Sequence, residues 1–231
     1  VPRKVAIQGQ RLKDGSEPIY RHPVDEQPPL RDFTPLVDQL RRQAEKIVQH
    51  PLNHGLLQWY RNGKDWIGEH SDKTLDVVPS SCIVNISFGD TRIMQLRTKK
   101  AESRRVQQLP LPNGSLLQMG LQTNQRYYHA IRQQGSEKPR ISLTFRHIGS
   151  FWNPQSGAVW GQGAPFAHQE EAEHQARERQ NLSPAERQEQ DRQQADRMLL
   201  LFREENLRAD FETAAYRPGF TLPDLKIMVE T

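Results

Sequence analysis

Arg140-Ile141-Ser142-Leu143-Thr144-Phe145-Arg146 alternates two arginines and two hydroxyl residues with three large apolar ones. Side chains on a strand point to opposite faces in turn, so the stretch reads as a strand with one polar and one apolar face. Two arginines turned inward would be costly in an empty interior, because buried charges need partners. Either the polar face meets solvent, or a dianionic ligand lies against it, since guanidinium pairs with carboxylate bidentately.

Outward from this stretch the strand signal repeats. Residues 56–60, 81–88, 93–96 and 115–119 are short runs rich in β-branched, aromatic or aliphatic residues. Asn62-Gly63, Gly89-Asp90 and Pro112-Asn113-Gly114 punctuate them as turns. Short strands at this spacing imply a mainly β sandwich or barrel. Ahead of them, Phe33, Leu36, Val37, Leu40, Ala44, Ile47 and Val48 recur at helical spacing and predict one amphipathic buttress over residues 32–49. Residues 1–30, rich in Pro, Gly and charge, read as loops and edge strands.

Past Gly149 the character changes. Trp152, Trp160 and Phe166 in a Gly/Pro/Gln-rich setting predict an irregular strap over residues 151–168. Gln, Glu, Arg and Ala dominate residues 169–206, which read as mostly solvated helix whose composition says nothing about chemistry. Ser183-Pro184-Ala185-Glu186 is a helix start, with Ser as N-cap, Pro at N1 and Glu closing a capping box. Met198, Leu199, Leu200, Leu201 and Phe202 are expected to dock the far end of that helix on the body.

Apolar residues make up 35% of the 231, and about 41% with the 14 glycines, so part of the chain contributes little to a core. No run approaches the roughly 18 apolar residues of a membrane span, and no signal-peptide or lipidation pattern is visible. The single cysteine, Cys82, excludes an internal disulfide or a multi-cysteine metal site and reads as an inert core thiol. A reducing compartment, nucleus or cytoplasm, is expected. The charge is uneven: residues 151–231 hold 9 Lys and Arg against 14 Asp and Glu, a net of −5, and residues 1–150 hold 23 against 14, a net of +9. A basic body hints at a polyanionic partner. Lys99-Lys100 and Arg104-Arg105, in one loop, suit backbone phosphates, whereas Trp59 and Trp66 read as core.

The densest polar information lies in Gly68-Glu69-His70-Ser71-Asp72. His-x-Asp at a strand end puts an imidazole and a carboxylate on one side, where both reach one metal. His129 in Tyr127-Tyr128-His129 is the long-range candidate for a third ligand. Two His and one carboxylate form the facial triad that leaves three positions open on Fe(II). A chance surface His-x-Asp is the bland alternative.

Tyr60, His70-x-Asp72, His129 and Arg140-x5-Arg146 also fall in the order and spacing of the AlkB family of Fe(II)/2-oxoglutarate dioxygenases, which the chain resembles over roughly residues 1–148. The likeness extends through Tyr60-Arg61-Asn62-Gly63-Lys64-Asp65-Trp66-Ile67-Gly68-Glu69-His70-Ser71-Asp72, Ser103-Arg104-Arg105, Leu109-Pro110-Leu111-Pro112-Asn113-Gly114-Ser115-Leu116-Leu117, and Thr123-Asn124 through His129. It is closest to the eukaryotic DNA-repair branch, and residues 149–164 resemble a strap of fungal AlkB-like proteins. The resemblance implies a double-stranded β-helix (jelly roll) core over residues 31–150. A nucleotide-recognition lid at 1–30 precedes it, and a strap and helical extension at 151–231 lie outside the likeness.

By the same resemblance, His70, Asp72 and His129 bind Fe(II). Arg140, with the Tyr60 hydroxyl, holds the distal carboxylate of 2-oxoglutarate, and Arg146 lies near the other carboxylate and Asp72. Ser142 and Thr144 line the same face, and Gln58 stands where the family has Asn. O2 is the co-reactant, and oxidation of an N-methyl group yields formaldehyde and a free nitrogen. Arg3 is expected to reach the lesion pocket, and Tyr20 and His22 to stack on a flipped base. After the metal Asp the repair enzymes place an acid that pairs with a cationic methylated base. Here Lys73 and Thr74 stand, a departure that points away from 1-methyladenine and 3-methylcytosine; Asp76 is the nearest substitute. The implied function is demethylation of N-alkylated bases in nucleic acid, DNA rather than RNA, by a monomer. The alternatives are oxidation of a small molecule or unusual base, and a catalytically silent nucleic-acid-binding protein.

Overall fold

The structure, a computed structural model, describes residues 3–23, 28–100 and 104–225. Val1 and Pro2 of the expected lid, and Ser103 of the basic loop, lie outside the described residues. Strands β1 (Lys4–Gly9), β2 (Glu17–Pro18) and β3 (Leu30–Asp32) lead to helix α1 (Pro35–Val48). Eight strands follow: β4 (His54–Tyr60), β5 (Ile67–His70), β6 (Cys82–Gly89), β7 (Arg92–Thr98), β8 (Val106–Leu111), β9 (Ser115–Gly120), β10 (Tyr127–Ile131) and β11 (Arg140–Arg146), with helix α2 (Leu121–Arg126) leading directly into β10.

These eight strands divide between two sheets. The larger has the order β3-β1-β4-β11-β6-β9 and the smaller β5-β10-β7-β8. Within the eight, every ladder is antiparallel. The chain crosses from one sheet to the other as it advances, which is the double-stranded β-helix expected. Tyr60 of the larger sheet packs with Met94, Leu96, Leu111 and Ile131 of the smaller, closing one end of the space between the sheets. The opposite face of the larger sheet is covered by α1: Val37 and Ala44 pack on Val84, Leu143 and Phe145. Burying both faces of the larger sheet turns the polar side of β11 toward the smaller sheet rather than toward solvent.

Local chemistry sets several boundaries. Pro35 at N1, after Thr34 in an extended conformation, starts α1 later than the apolar spacing suggested. Leu36 and Ile47 are exposed, and Arg41 takes a buried place on the inner face, bonded to Asp38, Glu45 and the Leu52 carbonyl. Gly89 has φ 87°, and a Cβ there would stand 2.5 Å from the Pro139 carbonyl oxygen, so glycine lets β6 pair with β11 from Arg140 onward. Trp59 and Trp66, expected in the core, are exposed, Trp59 beneath Lys4. Cys82 is buried as expected, and burial pushes its thiol pKa up.

The first thirty residues join both ends of the architecture. β1 sits one strand in from the sheet edge, antiparallel to β4, and β2 pairs with β12 (Ser150–Trp152), which pairs with β13 (Val159–Gly161). Helices α3 (Gln169–Gln180) and α4 (Pro184–Leu207) form the extension. The Ser183–Glu186 capping box is present with both reciprocal bonds. Met198 and Phe202 dock as expected, but Leu199 and Leu200 stay exposed. The extension is also more than solvated helix. Ala195, Met198, Phe202, Phe211, Tyr216, Phe220 and Leu222 enclose Leu75 in a second core. No helix among the described residues is long and apolar enough to cross a membrane.

Candidate active site

β5 ends on His70, and the ladder to β10 puts His129 directly opposite, with ring centroids 4.2 Å apart. Asp72 follows two residues later, held by buried Asn124 of α2. Its amide donates to Asn124 Oδ1 at 2.8 Å, and Asn124 Nδ2 donates to the Asp72 carbonyl at 2.8 Å. The Nε2 atoms of both histidines lie 3.8 Å from Asp72 Oδ1, and one ligand atom from each residue falls within 4.8 Å of the others. Arg146 donates to Asp72 Oδ2 at 2.7 and 3.0 Å, leaving Oδ1 to face the imidazoles. His70 Nδ1 lies 2.8 Å from the Gly68 carbonyl, which can only accept, so Nε2 keeps its lone pair.

Protonation states agree with a donor set. Burial lowers the His70 pKa, and burial with His70 alongside pushes His129 down to about 3, so both rings are neutral. Burial raises the Asp72 carboxyl, but Arg146 and the two histidines more than offset it and hold it well below the usual carboxylate range. Two neutral imidazoles and one carboxylate of this geometry suit a divalent first-row metal with open positions, Fe(II) among them.

Beside the triad, a cavity of about 620 Å3 runs between the sheets. Register across β4 and β11 pairs Arg140 with Tyr60 and Ser142 with Gln58. Arg140 is 1% exposed, and its Nη2 donates to Ser87 Oγ at 2.8 Å and Asn85 Oδ1 at 3.3 Å. Asn85 Nδ2 in turn donates to Ser142 Oγ and Thr144 Oγ1. Arg140 Nε and Nη1, Arg146 Nη1 and Gln58 Nε2 are buried donors without a partner among the described residues. A guanidinium left so, with burial lowering its pKa, fits an anion at the end of the cavity away from solvent. These orphaned donors, at two separate arginines, match a dicarboxylate such as 2-oxoglutarate.

A sequence profile of the 2OG-Fe(II) oxygenase superfamily matches residues 1–146. The chain belongs to that superfamily. The AlkB resemblance holds as well: human DNA oxidative demethylase ALKBH2 is 36% identical over 125 residues, covering 51% of this chain and 48% of that protein. The bovine alpha-ketoglutarate-dependent dioxygenase alkB homolog 3 is 33% identical over 141 residues, covering 57% and 48%. The chain spans about half the length of these relatives.

In this member of the superfamily the structure brings Arg3, Tyr20, His22 and Lys73 to the cavity wall together with the triad and both β11 arginines. The Tyr20 ring is packed already, 4.1 Å from the Arg146 guanidinium and 5.0 Å from the His22 ring, and its hydroxyl accepts from the Lys73 amide at 3.0 Å. Burial, followed by Arg146, pushes His22 down to about 4, so it presents a neutral ring. Thr74 does not reach the cavity: its amide and hydroxyl donate to Glu205 of α4. Asp76 cannot replace the missing acid, because Arg21 holds it in a buried ion pair with contacts from 2.5 to 3.2 Å. Lys99, expected on phosphate, is spent on the Glu205 carbonyl and Ser71 Oγ at 2.7 and 2.9 Å, whereas Lys100, Arg104 and Arg105 are exposed.

Sequence reasoning missed Asn85, Ser87 and Asn124, which orient the ligands of the two subsites. It also missed Leu199, Phe202, Arg203 and Asn206, which line the cavity from the extension. Asn124 lay inside a block of the family resemblance, and Leu199 and Phe202 inside the apolar run expected to dock the helix on the body; no local pattern marked Asn85, Ser87, Arg203 or Asn206 for the site.

Proposed function

We propose that the protein is an Fe(II)/2-oxoglutarate-dependent dioxygenase that demethylates N-alkylated bases in nucleic acid, DNA in preference to RNA, acting as a monomer in the nucleus or cytoplasm. One observation carries the reading: a His70–Asp72–His129 donor set shares a single cavity with buried Arg140, whose Nε and Nη1 have no partner among the described residues. The likeness to a DNA oxidative demethylase supports the choice of substrate.

In this reading His70, Asp72 and His129 hold the iron, and Asn124 and Arg146 fix the carboxylate that binds it. Arg140, Tyr60 and Gln58 orient the distal carboxylate of 2-oxoglutarate, with Ser142 and Thr144 filling the wall. Bound Fe(II), 2-oxoglutarate and O2 supply oxidation of a substrate C–H bond. The polypeptide places the methyl carbon beside the metal and keeps bulk water out. Arg3, Tyr20, His22 and Lys73 form the substrate end; Thr74 acts on it only through the loop it anchors.

A specific observation favours a second reading, a neutral or unusual base or a small molecule. Among the described residues the carboxylates on the cavity wall are Glu69 and Asp72, and arginines hold both. A cationic 1-methyladenine would find no free acid there. The test is a panel of oligonucleotides bearing 1-methyladenine, 3-methylcytosine or 3-methylthymine, incubated with Fe(II), ascorbate and 2-oxoglutarate and read by mass spectrometry. Loss of a methyl group by the wild type and not by Asp72→Ala supports the proposal. Conversion of 2-oxoglutarate to succinate with every oligonucleotide intact refutes the nucleic-acid reading.

A further inference from the structure

The extension, outside the stretch matched by the superfamily profile, is locked onto the loop that carries Asp72. Glu205 Oε1 accepts from the Thr74 amide at 3.0 Å and from its hydroxyl, and Oε2 accepts from Tyr216 at 2.6 Å. Next to it, Asn206 Oδ1 accepts from the Ser71 amide at 3.1 Å. Buried Met198 and Phe202 close the joint against Leu75. This latch holds one face of α4 at a fixed place over the metal site.

That face brings a cation to the cavity. Arg203 lines the cavity and is exposed, and its side chain makes no hydrogen bond or ion pair among the described residues. Lys73 and Arg3 line the same cavity, and its outer carboxylate, Glu69, is already paired with Arg97 and Arg132. A cation held beside apolar Leu199 and Phe202, with no acid free to neutralise it, suits an anionic group attached to a flat apolar one.

We propose that Arg203 binds a backbone phosphate next to the base that enters the cavity, so that the extension is a working part of the substrate site. The inference rests on the nucleic-acid reading above. Phosphate contacts of this kind position the strand without reading its sequence.

The test is fluorescence anisotropy with the full chain, Mn(II) and a labelled single-stranded oligodeoxynucleotide carrying one methylated base. A second probe has uncharged methylphosphonate linkages on both sides of that base. Arg203→Ala should weaken binding of the first probe about tenfold and lower the salt slope by about one. Arg203→Glu should weaken it further and Arg203→Lys should retain most of it, all with unchanged melting temperatures. The methylphosphonate probe should bind wild type and Arg203→Ala equally. Wild-type affinity and slope in Arg203→Ala, or an equal loss on both probes, would overturn the assignment. A phosphate-dependent loss with no base demethylated sinks the enzymatic reading alone, whereas demethylation indifferent to Arg203 sinks the phosphate subsite alone.

Discussion

Replacing Arg140 with alanine tests the cosubstrate end of the site. The guanidinium is buried, anchored through Nη2 by Ser87 and Asn85, and offers Nε and Nη1 to the cavity with no hydrogen-bond partner among the described residues. Two charge-assisted hydrogen bonds to a carboxylate contribute about 1.5–3 kcal/mol each, so Arg140→Ala should weaken 2-oxoglutarate binding by about 3–6 kcal/mol. That is a loss of roughly 10² to 10⁴ in affinity. Arg140→Lys keeps the charge but not the planar fork, and should fall between wild type and alanine. The assay is calorimetric titration of 2-oxoglutarate into Mn(II)-loaded protein, with 2-oxobutyrate, which lacks the distal carboxylate, as comparison. Wild type should prefer 2-oxoglutarate strongly, and Arg140→Ala should bind both alike. Arg140→Ala protein that binds 2-oxoglutarate within about threefold of wild type, or that still prefers it, refutes the role.

Other expectations follow from the same geometry. Asn124→Ala removes two 2.8 Å bonds and strands the buried polar backbone of Asp72, so it should cost about 2–4 kcal/mol of stability by denaturant melts. It should also loosen Mn(II) binding about 10- to 100-fold in titrations followed by electron paramagnetic resonance. Burial, with Arg146 nearby, pushes His54 from 6.5 down to about 3. The unfolded chain takes up this proton below 6.5 and the folded chain does not, so stability falls as pH drops from 6.5 toward 3, by a few kcal/mol at most. His54→Gln should flatten that slope, and urea melts at pH 7 and pH 4.5 read it. Glu205→Ala leaves the Thr74 amide and the Tyr216 hydroxyl without their acceptor and should cost about 2–5 kcal/mol, with limited proteolysis cutting first in the extension. Equal cleavage rates in variant and wild type would argue that the latch does not hold α4.

What the amino-acid sequence determined by itself was local and periodic. The two-residue alternation of Arg140–Arg146 already carried a polar face, and the cross-strand register only chose which side of the sheet met it. His70 and Asp72 are two residues apart, so their convergence needs no more than a strand end. The Ser183–Glu186 capping box likewise needs one turn of chain. β8, with its exposed Gln107 and Gln108, and the short β5 carry no such alternation, and the strands emerge only through their ladders to β7 and β10. Tertiary structure alone decided that Asn85 and Ser87 hold Arg140, and that Arg21 ties Asp76 across 55 residues of chain. It alone delivered Glu205 to Thr74 from 131 residues away. The physical reason is that a buried polar side chain is recognised by its partner. At such separations the partner is set by packing, here by the Leu75 core that draws α4 onto the Asp72 loop, and a solvated Glu and a buried one look the same in a row of letters.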